Sequence, residues 1–225
     1  MPFGAHETME VHEILSEKLN MMNHFSLYAQ FAQAAELREM IERQMQSVTG
    51  SYDQLVAYTH DYSAANQPMP AYPDIRAGVQ PQQIQYGLRN PAPVSPELQG
   101  RMNDSQILCA MLSFHKSSAK LHMQGALECA DPNVRHMLIQ GAITCADQSY
   151  EVFLLMNRLG QYQVPTMNDH TAKTYLHTYQ PMQSMQPMQH MQQSGQPSGM
   201  AFNGGPQGRM NPFDGPRPFG GMMQQ

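Results

Sequence analysis

Ten histidines and a methionine-rich C-terminal stretch are the residues of this chain best suited to hold a metal. A di-metal centre inside a four-helix bundle needs a Glu from each of two helices and a Glu-x-x-His from each of the other two. Side chains at i and i+3 of a helix converge, so that spacing lets both bind one metal. None of the ten histidines has a Glu three residues before it. His115 and His122 lie seven residues apart, about 10.5 Å along a helix, so one metal cannot take both. Glu13 with Glu17, and Asp147 with Glu151, have i,i+4 spacing. They fall beside the apolar stripes of their segments, where solvated charge is the ordinary reading. No catalytic metal pair is predicted. His24 and His122 are read instead as hydrogen-bonded core histidines that meet near a pseudo-two-fold axis.

Farther along, Met182, Met185, Met188 and Met191 recur every third residue, with His190 among them. Polyproline II has three residues per turn and would align those thioethers on one edge, and thioethers are soft ligands suited to Cu(I). The competing reading is a low-complexity, adaptable, adhesive stretch, and it is the one adopted here. No Gly-rich phosphate loop follows a strand and no nucleophile–base pair is readable, so neither an enzyme nor a cofactor is predicted. Of the three cysteines, Cys129 and Cys145 fall on apolar stripes and read as small buried hydrophobes. Cys109 lies off its stripe and is available for cross-linking between molecules.

Composition narrows the class further. The 225 residues include 21 Met, 17 Pro, 16 Gly and no Trp, and the net charge is -5. That charge argues against binding nucleic acid through its backbone, which needs clustered Lys and Arg. No apolar run reaches membrane-spanning length. The start, MPFGAHETMEVHE, has neither a basic n-region nor an apolar h-region, so no secretory signal is expected and synthesis is assigned to the cytoplasm.

An internal echo sets the architecture. Leu37-Arg38-Glu39-Met40 is answered by Val134-Arg135-His136-Met137 at a separation of 97. Ser51-Tyr52-Asp53 is answered by Ser149-Tyr150-Glu151 at 98, as are Lys18 by Lys116 and His24 by His122. Each copy is long enough for two helices and a turn, and two such hairpins must pack together to bury their apolar faces.

Four helices follow from the stripes. The first runs from about Thr8 to Ala32 with Val11, Leu15, Leu19, Met22, Phe25 and Ala29 inward. The second runs from about Glu36 to Tyr62 with Leu37, Ile41, Met45, Val48, Tyr52, Leu55 and Tyr62 inward. The third runs from about Asn103 to Cys129 on Leu108, Met111, His115, Ala119, His122 and Ala126. The fourth carries Val134, Leu138, Gly141, Cys145, Ser149, Val152, Met156 and Leu159. Asp131 caps it, Pro132 opens it, and Gly160 closes it. The first turn, around Gln33 to Ala35, has neither Gly nor Pro, and only the echo places it.

Between the hairpins, residues 63–101 are rich in Pro, Gln and Ala and read as a crossover lying along the bundle. Residues 1–62 are the first hairpin, 102–164 the second, and 165–225 a Met/Gln/Gly/Pro-rich tail. Within it, a short helix is predicted over Asn168 to Tyr179. Beyond Gln180 there is too little apolar surface to offset backbone ordering, at roughly 1–2 kcal/mol per residue, so disorder is predicted.

The second hairpin resembles the coat F family of bacterial spore coat proteins. The residues that carry the resemblance are Leu112 and Lys116, then Glu128-Cys129-Ala130-Asp131-Pro132 with Arg135, and Phe153-Leu154-Leu155-Met156 leading to Gly160-Gln161-Tyr162. It covers about Asn103 to Val164, and the first hairpin joins through the echo. The resemblance implies an all-α, ferritin-like four-helix bundle, a structural role in the endospore coat, and no catalytic residues. Other spore coat proteins and further copies of the chain are the expected partners; the charge and hydropathy above leave no nucleic acid and no membrane span among the expectations. The alternative reading is a metal-handling protein: a relic ferritin-like oxidase, or a copper binder through Met182, Met185, Met188, His190 and Met191.

Overall fold

The computed structural model describes residues 3–61, 78–89 and 100–179, and all secondary structure below refers to them. Residues 1–176 form one compact unit; the second, 177–225, is described only over its first three residues. Four long helices make the first unit: α1 (Ala5–Phe31), α2 (Ala35–His60), α3 (Asp104–Glu128) and α4 (Pro132–Arg158). A short exposed helix, α5 (Asp169–Leu176), follows them. The fold is all-α, as the stripes predict, and helix ends agree with the predicted ones to within three residues.

Polar contacts at the two ends fix the helix directions. At one end the start of α1 meets the start of α4: Glu7 accepts from the Asp131 backbone N–H at 2.9 Å. The end of α2 is there too, because the Tyr58 hydroxyl donates to Asp131 at 2.8 Å. At the other end, Asp104 at the start of α3 accepts from the backbone N–H of Gln33 and Ala34, at 2.8 and 2.9 Å. Therefore α1 and α4 run one way, α2 and α3 the other. A long crossover is needed to return the chain from the end of α2 to the start of α3.

The two end contacts are reciprocal. Glu7 and Asp104 are separated by 97 residues, and so are the turn residues Ala34 and Asp131 that they hold. Each hairpin begins with an acid that satisfies the backbone of the other hairpin's turn. This is why the α1–α2 turn manages without Gly or Pro: the Asp104 carboxylate supplies its missing partners. Asp104→Ala should cost about 1–2 kcal/mol, because two turn donors lose a charged acceptor. Urea unfolding followed by circular dichroism measures it, and a change within about 0.3 kcal/mol would mean that water replaces the carboxylate without loss.

The α3–α4 turn is built as predicted. Asp131 accepts from the N–H of Asn133 and Val134, and Pro132 stands first in the helix. Asn103 and Gln106 form a reciprocal capping box at the start of α3. Gly160 takes φ +75 just past α4, the conformation for which glycine is suited. The described middle of the crossover reaches the far end of α4. There Asn157, 2% exposed, accepts from the Gln85 N–H and donates to the carbonyls of Gln85 and Tyr162.

The observed seams lie one residue away from several predicted ones. In α1 the buried set is Glu7, Val11, Ile14, Lys18, Met21, Phe25 and Tyr28, an unbroken alternation of four and three. Leu15, Leu19, Met22 and Ala29 do not form the seam; Leu19 is 45% exposed. In α2, Gln44 is buried in the place expected for Met45, Tyr52 is only half-buried, as is Ser51 beside it, and Tyr58 is the last buried residue. Tyr62 lies outside the described residues. Ser118 replaces Ala119 in α3 and Gln148 replaces Ser149 in α4, while Leu159 is exposed. In α1 the cause is local: adjacent apolar pairs such as Ile14-Leu15 and Met21-Met22 offer two stripes, and the packed bundle takes the one in which Lys18 reaches Ser51.

Candidate functional site

The apolar core comes in two clusters. One contains Phe25, Ile41, Met111 and Val152; the other contains Val11, Ile14, Leu55 and Leu138. A polar layer separates them at the waist of the bundle. Every long helix contributes to it: Lys18 from α1, Ser51 from α2, Ser118 and His122 from α3, and Cys145 from α4. They surround a cavity of about 20 Å³, enough for one water molecule.

Lys18 is 5% exposed, and its ammonium donates to the Ser51 hydroxyl at 2.8 Å. Burial lowers its pKa, while Cys145 and Glu17 pull it back upward. Beside it, the Glu17 carboxylate oxygens are shut off from solvent, with the Ser118 side chain and Lys18 as their polar neighbours. Burial raises the Glu17 pKa, and Ser118 and Lys18 draw it back part of the way. His122 is fully buried. Its Nδ1 lies 2.9 Å from the Ser118 carbonyl, so Nδ1 carries the proton and Nε2 is bare and unpartnered. Burial, with Lys18 nearby, pushes His122 down to about 3. Only Gly141 fits against this ring: a Cβ there would stand 2.4 Å from His122 Cδ2.

One layer toward the α1–α2 turn, a second chain of polar groups crosses the core. Arg43 donates to Glu151, whose other oxygen accepts from the Gln44 amide at 3.0 Å. With its NH₂ turned to the carboxylate, Gln44 presents its carbonyl to His115 Nε2 at 2.8 Å. His115 must therefore donate through Nε2, which leaves Nδ1 bare. Its ring meets Phe25 edge-on at 5.4 Å. Burial pushes His115 down to about 3.

Against these positions several expectations need correction. Glu151 is not solvated charge: it is 5% exposed and paired with Arg43. Glu17 is likewise mostly buried. His24 and His122 do not meet, since His24 packs on Tyr28 and Phe114, the latter two helical turns from His122. The separation of 98 does not hold for Lys18 and Lys116, because the first is buried and the second exposed. Burial recurs at 97 instead, pairing Lys18 with His115 and Phe25 with His122. That separation was readable from Leu37 and Val134, and carrying it into α1 and α3 would have found the polar layer. Cys129 and Cys145 are buried and Cys109 is exposed, as predicted. Met182, Met185, Met188, His190 and Met191 lie outside the described residues.

Chemically the waist is a buried polar layer. Burial raises the Cys145 thiol pKa, against a stable thiolate. Among the described residues no three His, Cys, Asp or Glu side chains converge as metal ligands, and no helix is long and apolar enough to cross a membrane. The layer links four helices through polar groups.

Comparison with known proteins places the α3–α4 hairpin. Residues 103–165 match the Coat F domain. The chain is 28% identical to the spore coat protein F-like protein YhcQ of Bacillus subtilis (strain 168) over 181 residues, 80% of this chain and 82% of the relative. In fold it is similar to a candidate spore coat protein of Bacillus halodurans C-125, with a TM-score of 0.55 and 15% identity. That match covers 75% of this chain and 97% of the other.

Proposed function

We propose, from the match of residues 103–165 to the Coat F domain, that this chain is a structural, non-enzymatic component of the bacterial spore coat. The observation that carries the reading is the alignment with YhcQ across most of both chains, with the domain match inside it. The buried polar groups support it, because they tie one helix to another: Lys18 bonds Ser51, and Glu151 pairs with Arg43 and Gln44. We read the bundle as ferritin-like, because α2 and α3 run in the same direction through one long crossover. Its partners are other coat proteins and further copies of itself, engaged by the bundle surface and by the Met/Gln-rich stretch after Gln180.

A fluorescent fusion followed through sporulation tests the assignment. The expected result is a shell around the forespore; fluorescence that stays in the mother-cell cytoplasm would overturn it. Removing residues 180–225 separates folding from assembly. The apolar seams all lie before Gly160, so helix content and thermal midpoint should be unchanged by the deletion. Incorporation into the coat should fall, because repeated weak Met contacts add up only among many close partners. A clearly lower midpoint would place the stretch in the fold, and normal incorporation would remove it from assembly.

A further inference from the structure

The polar waist brings a nucleophile and an acyl group to one small space. Lys18 of α1 and Gln148 of α4 are both buried, and both line the cavity there together with Glu17 and Ser118. Helices α1 and α4 are diagonal in the bundle, each packing mainly on α2 and α3. Adjacent helix axes stand about 8–10 Å apart, so only long side chains meet across the diagonal. Lysine and glutamine are among the longest, and the cavity they share has room for one water molecule. Burial lowers the Lys18 pKa, which favours the neutral amine with its free electron pair. Burial raises that of Glu17, which favours the neutral acid, a proton donor beside Lys18.

We propose that Lys18 and Gln148 condense into an isopeptide bond that ties α1 to α4. The Lys18 Nζ attacks the side-chain carbonyl carbon Cδ of Gln148, a C–N bond forms, and the bond from Cδ to Nε2 breaks. Glu17 gives its proton to the departing Nε2 and takes one from Nζ. One ammonia leaves, Glu17 ends as it began, and the balance needs no other reactant. Two groups held in one buried layer react as a single molecule, which replaces the high concentrations that a free amine and amide would need. The N–H that stays on Nζ can still donate to Ser51, as the amine does at 2.8 Å. The two hairpins are then joined covalently through the core as well as by the crossover. This bond is independent of the coat assignment and stands or falls without it.

Mass spectrometry of the full chain tests it. The expected result is a chain lighter by one ammonia, in which trypsin no longer cuts after Lys18. The tryptic peptide ending at Arg38 should then be joined to the peptide of residues 136–158, which holds Gln148. Mapping is needed because Asn203-Gly204 is a second place where a chain loses ammonia. Lys18→Met and Gln148→Met should each remove the joined peptide. Glu17→Gln keeps both reactants and should slow bond formation on the order of a hundred-fold or more, the contribution of a positioned acid–base group. If a Met variant does not fold, the wild-type map and Glu17→Gln decide. A wild-type chain aged for weeks at neutral pH that still yields separate peptides ending at Lys18 and Arg158 overturns the proposal. So does an ammonia loss at Gln148 that survives Lys18→Met and is reversed by hydroxylamine, which assigns Gln148 to the Cys145 thiol instead.

Discussion

Glu151→Ala is expected to destabilise the bundle by about 3 kcal/mol, with 3–5 the range for breaking a buried ion pair from one side. Glu151 is 5% exposed and is the acceptor on which two donors depend. Without it, Arg43 keeps a charge in a partly buried position and the Gln44 amide loses its partner. Arg43 reaches solvent, with 22% of its side chain exposed, which sets the cost at the lower end of the range. The damage also travels. The carboxylate orients the Gln44 amide, and that orientation decides which nitrogen of His115 holds the proton. Glu151→Gln should cost less, because one donor can still be accepted. For a chain of this size the alanine change should lower the thermal midpoint by roughly 6–12 °C. A change of less than about 1 kcal/mol in urea unfolding would show that desolvation had already cancelled the network's net contribution.

The second large effect is acid lability. His115 and His122 are held near 3 by burial, whereas an unfolded histidine titrates at about 6.5. Between those values the unfolded chain binds more protons than the folded one, so stability rises with pH. It is fully present above about 6.5 and is lost progressively as pH falls toward 3. Each histidine contributes a slope of up to about 1.4 kcal/mol per pH unit. Glu17 works in the opposite sense. Its raised pKa makes the folded protein take up a proton before the unfolded chain does. The test therefore compares variants rather than reading one curve. His115→Gln and His122→Gln, unfolded in urea at pH 7, 6 and 5, should each show a shallower loss than the parent chain. Parallel slopes in all three would mean that both rings are protonated while folded.

The individual helices were legible because their signals are local. Asp131-Pro132 and Gly160 bound α4, and the apolar periods of α3 and α4 give most of their seams. The pairing of hairpins followed from one motif repeated at 97 residues. The α1 seam was not legible, and the reason is physical. A lysine between Ile14 and Met21 breaks an apolar stripe, while Leu15, Leu19 and Met22 continue one at the neighbouring angle. A chain alone cannot show that Ser51, 33 residues farther on, will accept that ammonium.

Residue order by itself determined the helical class, most element boundaries and the Coat F likeness, because each depends on spacing within one segment, and it determined the two hairpins and the first turn through a motif repeated 97 residues on. Tertiary structure decided which of two competing stripes faces inward, that Glu7 and Asp104 each hold the other hairpin's turn, and that Lys18, Glu151, His115 and His122 are buried. Burying a polar group is unfavourable until its partner is in place; the partners of Lys18, Glu151 and His115 come from other helices, and His122, bonded within α3, is buried only by the packing of the other helices around it.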